Sequence, residues 1–166
     1  MRHLPVSIDR ALRTKARGAV TLELLITLPL LVIGCMAAVE MGLWMSGRER
    51  LEMATRTGVE AAAASLDLEE VHRRVCDYLG RGNVATENVE LLLVHNLRGN
   101  VEQSYPSKAD WSNITLPQPP ASKSRYVRLV VRVPSSDLAP NLLKSFGFDL
   151  REHTSVHVKT LRYEGI

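Results

Sequence analysis

The chain is poor in the residues that staple or fill a small fold. Two cysteines in 166 residues exclude a disulfide-dense scaffold. Aromatic residues make up only 5%, so any core must come mainly from Leu, Val and Ala. Bases and acids nearly balance, 21 against 18, which excludes a disordered acidic chain. Ten glycines without a three-residue period exclude a collagen. There is one long apolar run and not several, which excludes a multi-pass membrane protein. The sequence contains no H-E-x-x-H, Walker A, G-x-S-x-G or C-x-x-C motif and no internal repeat. It therefore predicts no enzymatic activity and no cofactor.

What is present is unevenly placed. Residues 1–18 carry Arg2, Arg10, Arg13, Lys15 and Arg17 against one acid, Asp9, a charge of +4. The other 148 residues hold 16 bases and 17 acids, so the basic balance belongs to a leader and not to the body. Nucleic-acid binding needs a basic face on the folded domain, and none is expected here. After the leader, the 16 residues from Leu24 to Val39 are uncharged. As a helix they would be about 24 Å long, slightly short of a bilayer core of about 30 Å. Continuation in both directions, with Glu23 and Glu40 leaning toward the head groups, makes up the difference. The basic flank predicts a cytoplasmic N-terminus and an extracytoplasmic remainder.

A plain signal anchor, a removable secretory signal, a lipoprotein signal and a prepilin leader all start this way. The carboxylate of Glu23 early in the apolar run argues against a removable signal. Val32-Ile33-Gly34-Cys35 is similar to a lipobox, with Cys35 as the acylated residue. The chain nevertheless stays apolar through Ala37, Ala38, Val39 and Trp44, whereas lipoproteins turn polar after that cysteine.

Arg17-Gly18-Ala19-Val20-Thr21-Leu22-Glu23-Leu24 resembles the processing site of type IV-type prepilins, in which a peptidase cuts after Gly on the cytoplasmic side. Cleavage after Gly18 would make Ala19 the new N-terminus and Glu23 the fifth residue. Gly fits a narrow protease subsite because it has no side chain. The new α-amine, of ordinary pKa about 8, is a partner for a carboxylate held in lipid. Pro29, Glu40-x-Gly42 and Ala54-Thr55-Arg56-Thr57-Gly58 extend the pattern. Together these residues are similar to the TadE-like family, the minor pilins or pseudopilins of tight-adherence (Tad/Flp, type IVc) pili. An aromatic residue is usual in that family where this chain has Leu24.

The resemblance implies processing at Gly18 and Ala19, an assembly carboxylate at Glu23, and family-motif positions at Pro29, Glu40, Ala54, Arg56 and Gly58. It implies as partners a prepilin peptidase, other minor pilins, the major Flp-type pilin, the inner-membrane assembly platform and the lipid bilayer. The expected location is the bacterial inner membrane, single-pass, with a periplasmic head that can join a pilus.

The spacing predicts one helix from Thr21 to Ser65, kinked at Pro29. Gly34, Ala38 and Gly42 repeat every fourth residue and form a small-residue stripe suited to helix packing in lipid. Farther on, Arg48, Glu52, Arg56 and Glu60 form a solvated charge ladder. Leu51, Ala54, Gly58, Ala61 and Ala62 lie opposite, where they can pack on a head or on neighbouring subunits. Asp67 and Glu70 read as a capping box for a second helix that ends at Gly80 and Gly82. Strands are predicted at Val89–His95, Tyr126–Val133 and His153–Tyr163, with a short helix within 138–146. Residues 104–124 read as a long exposed loop containing Trp111.

The fold class is thus α+β and pilin-like, a long N-terminal transmembrane helix before a small head of about three strands and one or two short helices. The expected organisation is a leader at 1–18, a transmembrane segment at 19–45, the extracytoplasmic continuation of the helix at 46–65 and the α+β head at 66–166. Cys35 falls in the apolar run and Cys76 in the head, so no disulfide is expected. His153 and His157 on a strand would stand about 13 Å apart, too far to share a metal.

Overall fold

The computed structural model describes the backbone of residues 7–97, 99, 101–118, 125–147, 149 and 153–163, and the side chains of the same residues except 7–20, 22 and 163. The elements run α1 (Ser7–Ser65), α2 (Leu68–Arg81), β1 (Glu90–His95), β2 (Val101–Tyr105), β3 (Arg125–Pro134), α3 (Ser135–Leu138), a 3-10 turn (Leu142–Phe146) and β4 (Thr154–Tyr163). The chain divides into two compact units, Met1–Val39 and Glu40–Ile166.

The first unit is the N-terminal part of α1. Helix begins at Ser7, upstream of the Thr21 start expected from the sequence, and continues through Pro29. Its side chains from Leu24 to Leu31 are those of a helix with no protein around it. Leu24, Leu25, Ile26, Leu28, Leu30 and Leu31 are all more than half exposed. Burial of such surface is worth roughly 25 cal/mol per Å², so water is a poor solvent for it. The helix is long and apolar enough to cross a membrane.

The second unit is an α+β head. Its sheet has the order β2-β1-β3-β4, and every neighbouring pair is antiparallel. The alternation of β3 places Val127, Leu129, Val131 and Val133 on one face, all fully buried. Leu91 and Leu93 of β1 pair with Val131 and Leu129 on that same face. From the helical side come Leu51, Ala54, Val59, Ala61 and Ala62 of α1 and Val71, Val75 and Leu79 of α2, which complete the core. The apolar stripe of α1 opposite the charge ladder thus packs on the head itself. The two helices meet at Leu66, whose positive φ of 54° breaks α1, and Asp67 then caps α2 by accepting the Glu69 N–H at 3.1 Å. Glu70 does not reach back to close a capping box. It pairs with Arg73 and Arg74 one turn on, which lowers its pKa chiefly through the Arg74 hydrogen bond.

The head has a fourth strand that the sequence reading did not anticipate. β2 takes in Ser104 and Tyr105, the first two residues of the expected loop. The short helix expected within 138–146 is instead α3 followed by the 3-10 turn.

The outer face of β3, which carries Arg128 and Arg132, is also covered. Arg128 is 4% exposed. Its guanidinium donates to Thr160 Oγ1 at 3.0 Å, to Pro117 O at 2.8 Å and to Gln118 O at 3.1 Å. Arg132 pairs with Glu90, donates to Asp110 O at 2.9 Å and lies 4.9 Å from the centre of the Trp111 ring. The segment after β2 is therefore held on the sheet by two arginines, and Trp111 is a packing anchor. Residues 119–124 of the expected loop lie outside the described residues.

Candidate assembly helix and its seat in the head

The positions that carry the sequence signature separate into two groups. In the first unit they face outward or meet open space. Glu23 is exposed, and its carbonyl accepts from Thr27 Oγ1 at 2.7 Å. Gly34 and Ala38 are exposed, as is Gly42 in the second unit. A Cβ built on Gly34 or Gly42 would meet nothing within 4 Å. This stripe has the shape a second helix could approach closely. The surroundings of Gly18 and Ala19 lie outside the described residues, although the backbone there is helical.

In the second unit most signature positions turn inward. Glu40 is 5% exposed, and its Oε2 accepts the Leu143 N–H at 2.9 Å across 103 residues of sequence. The carboxylate therefore ties α1 to the 3-10 turn. Hydrogen bonds to charged groups are worth about 1.5–3 kcal/mol. Ala54 is fully buried. At Gly58 an added Cβ would stand 2.5 Å from Leu129 Cδ2 and 2.6 Å from Val75 Cγ2. Only a residue without a side chain lets α1 approach β3 and α2 this closely. Arg56, like Gly42, is an exception. It points to solvent and pairs with Glu60 at 3.4 Å, with both side chains more than half exposed. Such a pair contributes little stability.

Two further seats of α1 were not read from the sequence. Gly47 passes so close to α3 that a Cβ would lie 2.7 Å from Leu138 O. Arg50 donates to the carbonyl of Gly82 at the end of α2. Neither has a local pattern, because each partner is distant in sequence. Tyr126 Nα–H, similarly, is received by Asn96 Oδ1 at 2.7 Å, which fixes the end of β1 against β3.

The head also contains a cysteine beside a histidine. Cys76 Sγ lies 3.4 Å from His72 Nε2, and the His72 ring stacks on Tyr105 with centroids 4.1 Å apart. Burial pushes the Cys76 thiol up, helped by the Asp77 charge, and pushes the His72 imidazole down. Both groups are thus held toward their neutral forms, the reverse of an activated thiolate–imidazolium pair. The cluster is packing between α2 and β2. His157 lies on β4 with Nε2 3.9 Å from Glu52, and His153 precedes the strand.

Residues 18–60 match the family model described as TadE-like protein, the family that the sequence resembles. The match starts at Gly18 and takes in Glu23, Pro29, Glu40, Gly42, Ala54, Arg56 and Gly58. It associates the chain with Tad pilus systems. No curated protein and no solved structure matches the chain significantly.

Proposed function

We propose that the chain is a minor pilin or pseudopilin of a Tad/Flp-type adhesive pilus, cut after Gly18 by a prepilin peptidase. The observation that carries this reading is the family match over 18–60, which begins at the proposed cleavage residue. The basic leader sets the cytoplasmic side, and α1 supplies the single inner-membrane span. Cleavage would remove a segment of charge +4 and leave a body of charge −1. Ala19 and Glu23 stand one helical turn apart, about 6 Å along the axis. The new amine of one subunit and the Glu23 carboxylate of its neighbour can then neutralise each other in lipid. The small-residue stripe offers the contact for other pilins, and the head stays in the periplasm or enters the fibre. Other minor pilins, the major pilin and the assembly platform are the expected partners.

The test is removal of the chain from a host that makes such pili. Piliation and surface attachment are expected to fall sharply and to return with the wild-type chain. Full piliation in its absence would overturn the proposal.

A further inference from the structure

The two edges of the head sheet differ. β2 is five residues long, carries Glu102 and is followed at once by Pro106. β4 is ten residues long, where about five or six is usual. Its residues pair one to one with Arg125–Pro134 of β3, so no bulge twists this edge away. β4 also contains no proline. The sheet order leaves it outermost, and among the described residues no strand pairs with its other side.

The hydrogen-bond alternation shows which groups face that open side. Ser135 N–H donates to His153 O at 2.9 Å, one position beyond the pair Pro134 and Thr154. In an antiparallel ladder, residues that exchange bonds with one neighbour alternate with residues that turn their bonds the other way. Ser155, His157, Lys159 and Leu161 are therefore the residues bonded to β3. Thr154, Val156, Val158, Thr160 and Arg162 turn N–H and C=O outward. The same alternation directs Tyr126 of β3 toward β1, and its carbonyl indeed accepts Asn96 N–H at 3.3 Å.

The side chains of this edge have one sign of charge. β4 contains no acid. Lys159 lies opposite Leu129 on the core side of the sheet, and Arg162 lies opposite Tyr126 on the other side. Both are exposed, and among the described residues neither is in an ion pair. Apolar surface flanks them. Leu161 is 36% exposed, and Val156 and Val158 are only half-buried.

We infer that the outer edge of β4 takes up an extended segment of another protein as an added strand, with acid side chains on Lys159 and Arg162. Main-chain hydrogen bonds supply the affinity in such an addition, and alternate side chains supply the selectivity. A second copy of β4 is the poorer occupant. Edge lysines deter pairing between like edges, and two β4 strands would bring together cations without an acid, which is destabilising where they stand opposite. An acidic segment meets opposite charge instead. Lys159 and Arg162 are three residues apart and on opposite faces, so acids at the same spacing in the incoming strand match both.

The test uses the full chain in detergent and three fluorescein-labelled synthetic peptides of alternating Thr and Val. One carries two Glu three positions apart. The second has Lys in their place, and the third is the Glu peptide N-methylated along its length. By fluorescence anisotropy the Glu peptide is expected to bind about tenfold more tightly than the Lys peptide, and the N-methylated peptide not at all. The double variant Lys159→Glu, Arg162→Glu is expected to reverse the preference. On binding, the amides of Val156, Val158 and Thr160 are expected to gain protection from hydrogen exchange, while those of Ser155, His157 and Lys159 stay as they were. Val158→Pro removes an outward N–H and no bond to β3, so it is expected to weaken binding with the head still folded. Should that variant not fold, the N-methylated peptide decides the same point. No binding of the Glu peptide, equal binding of its N-methylated form, or protection away from β4 would overturn the inference. Equal binding of the Glu and Lys peptides would overturn the acidic partner. Dimers that dissociate in sedimentation as the Glu peptide binds would assign the edge to a second copy and also overturn it.

Discussion

Gly58→Val is expected to destabilise the head by about 3 kcal/mol, at the upper end of the usual cost of overpacking a core. The first added carbon already falls 2.5 Å from Leu129 Cδ2 and 2.6 Å from Val75 Cγ2, and valine adds two more. The residues in the way cannot swing aside, because Leu129 and Val75 are fully buried and sit on β3 and α2. Relief would require α1 to move away from the sheet, which would also loosen Leu51, Ala54 and Ala62. Gly58→Ala should cost less. It adds one carbon, and alanine gains about 1 kcal/mol over glycine in a helix. Thermal unfolding of the full chain in detergent, followed by tryptophan fluorescence, checks this. A fall of roughly 10 °C or more is expected for the valine variant, while Gly42→Val, with nothing within 4 Å, should melt near the wild-type temperature. Equal melting of Gly58→Val and wild type would contradict the packing account.

The contrast between these two glycines shows what was legible in the sequence. Gly58 and Gly42 both stand out as signature positions, but only the tertiary structure shows that one is closed in and the other open. β1, β3 and β4 were readable because their apolar residues alternate or run together. β2 was not, since Val101-Glu102-Gln103-Ser104-Tyr105 is a short and largely exposed strand at the sheet edge, with little apolar signal. The alternation of β3 puts Arg128 and Arg132 on the face opposite the valines. It could not show that residues 110–118 fold over that face and accept their hydrogen bonds. Asp67 was legible as a cap, whereas Glu70 had a choice between the cap and two nearer guanidinium groups, and those won. Glu40 was visible as a carboxylate after an apolar run. Its partner Leu143 is too far along the chain for any local pattern to reveal.

Glu23→Ala carries the largest expected effect on function. Glu23 is an exposed carboxylate next to exposed Leu24 and Leu25 on a helix suited to a bilayer. A lone charge costs roughly 2.5–3.5 kcal/mol at the centre of a spanning helix and less toward its end, so the alanine variant should insert at least as well as the wild type. The proposed processing would depend on the leader and Gly18, so it should continue. On the proposed assembly role, what is lost is the partner for the α-amine of the adjacent subunit, which would then face lipid uncompensated. The expected result is near-complete loss of pili, or of the chain from pili, with normal levels of processed protein in the membrane. Immunoblotting of membrane and sheared-pilus fractions distinguishes these outcomes. Wild-type piliation with Glu23→Ala would remove the assembly role from this residue. Glu23→Gln separates charge from shape, because the amide fills the same space but cannot neutralise an amine.

The assembly role proposed for Glu23 presupposes that the mature chain starts at Ala19. The mass of the intact protein, extracted from membranes of a host with an active prepilin peptidase, measures this directly. The account predicts a chain that lacks residues 1–18 and begins at Ala19, and a full-length chain when Gly18 is replaced by a bulky residue. A wild-type chain that retains its first 18 residues in that host would contradict it.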